Sequence, residues 1–496
     1  MTESARLLLP LAVTLVAPYF IWLNRKDIYK REAVSLVAGV ITFLANLSFV
    51  PAVLNGEILY YKMFTILPGI TVSFCVDGLG IIFALVASFL WMFATSYNIG
   101  YMRSLNEHAQ TRYYFCFAVA IFGAMGVSFA ANIFTLYLFY EVITVFTYPL
   151  VAHHEDEEAF VGARKYLVYL MGTSKLFLLP AMVMTYVLVG NLDFQLGNIV
   201  TGIFPAEVVA EHPVMVTVTY VLYIAGLAKA ALMPFHNWLP SAMVAPTPVS
   251  ALLHAVAVVK AGVFSVCRVI LSGFGLDTMD KLFLGIPTAY LAAFTIVVAS
   301  LIALTKDDLK ARLAYSTVSQ LSYVVIGVCM LTPMAVQGGV MHIPHHAFSK
   351  ITLFFCAGAI YVVTHTKKIS LMNGFGRRMP WTFAAFGIAS LSMIGMPPVC
   401  GFVSKWYLVN GALDANQIPL LVALLLSTAL NAGYFVPVLI RAYFFKPVPG
   451  ANIEQYSEAP KTMLIPLFTT ALISIFLGLY PETFLNFIKV LGNGIF

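Results

Sequence analysis

The sequence predicts an all-α polytopic membrane protein. It has about fourteen transmembrane helices in two inverted five-helix repeats, with helices 7 and 12 broken. Three observations lead there. The chain of 496 residues is 60% hydrophobic and only 10% charged, where soluble domains carry about 25% charged residues. Fourteen apolar runs are long enough to cross a bilayer, which takes about 20 residues. Lysine and arginine gather in alternate loops, the pattern that marks the cytoplasmic side.

The runs fall near 5–23, 33–54, 77–101, 112–131, 132–152, 162–189, 214–235, 247–271, 282–304, 312–331, 335–365, 382–413, 417–444 and 462–485. The first is followed by Arg25, Lys26, Lys30 and Arg31. A signal peptide carries its charge before the apolar run, so this segment stays as a helix. Leu59–Phe74 is too short to span and contains Pro68 and Gly69; it reads as a hairpin or a re-entrant loop on the outer face. Asp77 opens the third helix as an N-terminal charge. Only Asn132 divides the fourth helix from the fifth. Pro234 interrupts the seventh, and Pro397 and Pro398 interrupt the twelfth, since proline cannot donate its backbone N–H. Paired interruptions in two halves of a chain point to an ion site between inverted repeats. An offset of five helices is odd and inverts the topology. The divisions are 1–110 (helices 1–3), 111–272 (helices 4–8), 273–445 (helices 9–13) and 446–496 (helix 14).

Eighteen of the 28 lysines and arginines fall on one side, and Arg6, Lys62, Arg268, Lys281 and Lys489 fall on the other. This asymmetry places both termini outside a bacterial or archaeal inner membrane. The remaining five are Lys175, Lys229, Lys260, Lys350 and Lys405. With Glu141, they sit near the middle of otherwise uncharged runs. A charge at the centre of a membrane helix costs roughly 2.5–3.5 kcal/mol, so six cost on the order of 15–20 kcal/mol. Such groups read as functional. Their shared depth describes a row in the membrane plane, not a pore across it. Two unit charges about 4 Å apart at an effective dielectric near 20 interact by roughly 4 kcal/mol, enough for one group's charge to decide its neighbour's. His342, His346 and Lys350 share one helical face at i, i+4, i+8, and His254 shares a helix with Lys260. Imidazoles pass protons readily. Lys175 is a further candidate, either in the row or at a helix contact.

No GxGxxG or GxxxxGK[ST] motif occurs, so no cofactor is expected, and nucleic acid is not a partner. The six cysteines form no CxxC pair and read as buried hydrophobes. The run His153–Glu158 has the look of a metal tract but reads as a solvated loop, so no metal is expected. His236, His345 and His365 read as satisfied polar residues near helix ends.

Leu227-Ala228-Lys229, Pro234-Phe235-His236-Asn237-Trp238-Leu239-Pro240 and Ala245-Pro246-Thr247-Pro248-Val249-Ser250-Ala251-Leu252-Leu253-His254 together resemble the signature of antiporter-like subunits. Such subunits occur in respiratory complex I, Mrp cation/proton antiporters and membrane-bound hydrogenases. His342–Lys350 and Gly395–Lys405 are similar to further family segments. Lysine at 405 is more like the D-type Mrp subunit than the complex I chains that carry glutamate there, and Lys175 departs from the family pattern. The resemblance implies that Glu141 pairs with Lys229 and that Lys260 passes the proton on. It implies that His342, His346 and Lys350 link the halves and that Lys405 is terminal. The expected function is translocation of protons, with or without Na+, within a larger membrane complex such as an NADH–quinone oxidoreductase or hydrogenase. The rival is a self-sufficient proton-coupled solute transporter.

Overall fold

The computed structural model describes residues 2–447 and 456–492. The chain ends, whose side the charge pattern predicts, lie outside the described residues, as does part of the 446–496 segment. The fold is all-α apart from one small sheet. The main helices are α1 (Leu8–Leu23), α2 (Ile28–Leu47), α3 (Gly78–Ser104), α4 (Gln110–Ser128), α5 (Ile133–Val151) and α6 (Glu157–Val189). They continue as α7 (Pro213–Gly226), α8 (Thr247–Lys281), α9 (Gly285–Thr305), α10 (Leu309–Cys329), α11 (Pro333–Thr364) and α12 (Pro380–Ile394). The last are α13 (Cys400–Asp414), α14 (Ile418–Phe444), α15 (Lys461–Leu479) and α16 (Glu482–Leu491).

Among the described residues, eleven helices are long and apolar enough to cross a membrane. Each of the fourteen predicted runs coincides with a helix or a broken pair. The boundary at Asn132 holds for a local reason: its side chain caps α5 by accepting from the Thr135 N–H at 2.7 Å. Asp77 caps α3 in the same way, through the Gly80 N–H at 2.8 Å.

The segment after α2 is a β-hairpin, Leu59–Leu67 against Ile70–Val76, and Thr2–Glu3 adds a short parallel strand. Its turn needs Gly69, which has φ +78° and lies so near the Gly190 carbonyl that a Cβ would sit 2.1 Å from it. The turns after α3, α5, α9 and α11 meet on the opposite, basic face, around Glu107, His154, Asp308, Lys310 and Lys367. Arg268 corrects its assignment to a loop. It is fully buried in α8 and holds Asp77 through two bonds of 2.5 and 2.8 Å. A carboxylate at the start of α3 gives this arginine a bidentate partner inside the bundle.

Candidate functional site

The two breaks position the terminal amines. After α7, the backbone passes through Ala228–Ala230 and a left-handed Ala231 (φ +56°) to the cis Met233–Pro234 bond. Lys229 therefore leaves the helix axis, and Gly262 of α8 packs flat against its backbone. Its amine donates to the Tyr140 carbonyl and the Thr144 hydroxyl, both at 2.7 Å, and lies 3.1 Å from the Tyr140 ring centroid. After α12, Gly395 turns the chain at φ +91°, and the cis Pro397–Pro398 bond leads into α13. Lys405 then reaches back to the final carbonyls of α12, Met393 at 2.7 Å and Ile394 at 3.0 Å. A cation at a helix C-terminus is favoured by the free carbonyls and the dipole.

Glu141 makes its direct contacts with residues other than the Lys229 that the resemblance implies. Its carboxylate is 3.6 Å from the Lys175 amine and accepts from the Ser174 hydroxyl at 2.5 Å. Among the described residues, no ion pair joins it to Lys229, whose two acceptors are neutral. Lys175 also donates to the Tyr137 hydroxyl at 2.5 Å. It lies in a π-helical turn, Ser174–Leu178, a local widening common at functional positions. The Lys175 side chain is 47% exposed and the Glu141 side chain 14%, so this pair faces the flank of the bundle. Lys229, Lys260, Lys350 and Lys405 are all buried.

Direct contacts build the centre on either side of a gap between two histidine rings. Lys260 and His346 meet at 2.7 Å, and the His346 and His342 rings stand 6.0 Å apart between centroids. His342 bonds Ser404 through Nδ1 at 2.9 Å and Gln320 through Nε2 at 3.0 Å. The Gln320 amide reaches the Met393 carbonyl that Lys405 also uses. Lys350 donates to Ser316 at 2.9 Å and to the Leu313 carbonyl at 3.4 Å. Tyr434 bridges Ser316 and Asn431, and the Asn431 amide returns to the Met393 carbonyl at 3.1 Å. A polar chain therefore runs from Lys350 to Lys405. His254 lies in the π turn Leu252–Val256, with its ring 4.6 Å from that of Phe354 and both nitrogens unpartnered. His345 departs from expectation: it is buried within α11, away from a helix end, and its ring nitrogens are unpartnered.

Tyr140, Thr144, Ser316, Gln320, Ser404, Asn431 and Tyr434 complete the network and were not singled out from sequence. Gln320 and Asn431 carried a usable signal, because an amide inside an apolar helix seeks an interhelical partner. The hydroxyl residues carried none, since Ser and Thr also bond their own helix.

Residues 130–431 match the family described as NADH:quinone oxidoreductase/Mrp antiporter, transmembrane. The chain belongs to that family. The matched stretch is more than half the chain and contains all six ionisable groups of the row. Among antiporter-family relatives, NADH-quinone oxidoreductase subunit N of Desulforudis audaxviator is 30% identical over 97% of this chain and 96% of its own length. The corresponding subunit M of Rickettsia prowazekii is 28% identical over 97% and 96%. The A/B-type subunit of a probable K(+)/H(+) antiporter of Rhizobium meliloti is 30% identical over 96% of this chain, which spans only 47% of that relative. In fold, the chain superposes on a subunit of the Mrp complex of Dietzia sp. DQ12-45-1b with a TM-score of 0.83, at 19% identity over 98% of this chain and 97% of that one. A subunit of the membrane-bound sulfane sulfur reductase, an archaeal respiratory complex, gives 0.86 at 24% identity over 99% and 98%.

Proposed function

We propose that this chain is the antiporter-like subunit of a multi-subunit bacterial or archaeal inner-membrane complex, carrying protons, with or without Na+, along the Glu141–Lys405 row. The observation that carries this reading is the buried polar network of Lys260, His346, His342, Gln320, Ser316, Tyr434, Asn431, Lys350 and Lys405. It is built around groups that accept and release protons, and no solvent-exposed residue interrupts it. The Glu141–Lys175 pair is the flank-side end, Lys229 the first buried amine, and Lys405 the distal end. The fourteen crossings, the inverted repeats, the outside termini and the likeness to the D-type Mrp subunit belong to the same proposal. Partner subunits supply the driving reaction.

Lys229→Ala and Glu141→Ala test it in inverted vesicles that report ΔpH by dye quenching. Both are expected to abolish translocation while the complex still assembles on native gels. Full translocation in both variants would refute the assignment. Transport by the purified chain alone in liposomes would instead favour a self-sufficient transporter.

A further inference from the structure

On the basic face, the turn after α3 meets the turn after α5, and three imidazoles converge on one carboxylate. We propose that Glu107, His108, His153 and His154 form a binding site for a divalent ion of the zinc class, separate from the buried row. Ligand atoms of Glu107, His108 and His153 all lie within 4.8 Å of one another. Glu107 stands between two rings: Oε2 is 3.6 Å from His153 Nε2, and Oε1 is 3.6 Å from His154 Nε2. These separations are too long for hydrogen bonds. They are near the edge of a tetrahedral site, because ligands about 2.0–2.1 Å from a central ion stand about 3.4 Å apart. His108 is exposed and can close the remaining distance by rotation.

His153 is the independent pointer. Its ring is fully buried, yet Nδ1 has no hydrogen-bond partner and Nε2 has only the Glu107 carboxylate, at 3.6 Å. Buried polar groups left so are rare in folded chains, and an ion would give one nitrogen its partner. Nearby cations limit the affinity without blocking the site. Arg112 is engaged by Glu155 and by the His153 carbonyl at 3.1 Å. Lys310 and Lys367 line the adjoining cavity, and the Lys310 amine is turned to the Ala245 carbonyl at 2.5 Å. Imidazole with one carboxylate suits zinc, nickel or cobalt, whereas calcium and magnesium prefer oxygen donors throughout. Bound metal would tie the α3–α4 turn to the α5–α6 turn, across the ends of the helices that carry Glu141 and Lys175.

The test uses the full chain, purified on a tag without histidine and stripped by chelator, then titrated with Zn2+ against a chromophoric competitor and with Co2+ for its visible spectrum. One ion per chain is expected, undisplaced by excess Mg2+, with a tetrahedral Co2+ spectrum. Glu107→Gln and His108→Ala should each weaken binding about tenfold or more, and the distant, exposed His212→Ala should not. His153→Ala removes a buried ring and is open to misfolding, so the isosteric Glu107→Gln and the exposed His108→Ala carry the decision. No retained ion, or unchanged affinity in both of those variants, overturns the site.

Discussion

One methyl group at Gly262 tests whether the geometry of Lys229, beyond its charge, is needed. A Cβ there would lie 2.3 Å from the Lys229 carbonyl carbon and 2.4 Å from the Ala230 nitrogen. Ordinary contact begins at 3.4 Å, so the broken segment must retreat by about 1.1 Å. Lys229 now holds the Tyr140 carbonyl and the Thr144 hydroxyl at 2.7 Å. A shift of that size along either bond takes it to about 3.8 Å, beyond a hydrogen bond. Losing one such bond from an amine amounts to roughly 1.5–3 kcal/mol, or about tenfold to a hundredfold in the population of the working geometry. Overpacking adds about 1–3 kcal/mol against folding, so assembly must be measured alongside transport. Gly387→Ala is the control: its Cβ would meet only Leu439, at 3.7 Å. Gly262→Ala should assemble and lose at least about nine-tenths of dye-reported translocation, while Gly387→Ala keeps it. Full translocation by Gly262→Ala would show that the position of Lys229 does not matter.

Gly395→Ala should act in the same way at the other break. Its Cβ would lie 2.6 Å from Lys405 Cδ at φ +91°, so translocation should fall sharply in the same vesicle assay. Arg268→Ala strands Asp77 without its partner and should destabilise the chain by about 3–5 kcal/mol, read as a lower melting temperature in detergent and less assembled complex. Tyr434→Phe removes the bridge between Ser316 and Asn431 and should slow translocation several-fold at normal assembly, provided the Lys350–Lys405 chain is used.

The helices were legible because bilayer crossing imposes length and apolarity on local sequence. The breaks were legible because proline writes them directly. The buried lysines Lys229, Lys350 and Lys405 were visible because each is the one charged residue of its apolar run. Their partners were not visible. Lys175 and Glu141 lie on neighbouring helices, and nothing in their spacing says that Ser174 and Tyr137 close the group. The likeness to known subunits drew Glu141 toward Lys229, but contact is settled by helix rotation: Tyr140 and Thr144, not Glu141, face the amine. The hairpin was recoverable from Pro68-Gly69, while Arg268 was counted with the loop charges because the apolar run ends at 271, whereas α8 continues to Lys281. The cluster at Glu107 needed two turns far apart in sequence to meet.

The partners of the buried amines bear on how a proton could move. Lys229, Lys350 and Lys405 each contact two neutral acceptors, a carbonyl with a hydroxyl or two carbonyls. An ammonium has three N–H donors, and an amine keeps two. Each site therefore keeps both of its bonds satisfied whether or not the extra proton is present. A carboxylate partner would behave differently, because the charged pair gains strongly and the neutral amine leaves a buried anion. Among the described residues of the row, only Lys175, at the flank, has such a partner. Lys260 contacts His346, a group with its own exchangeable proton, at the junction of α8 and α11. The buried amines thus keep their acceptors in either protonation state, and the one lysine–carboxylate pair among the described residues of the row sits at the flank of the bundle.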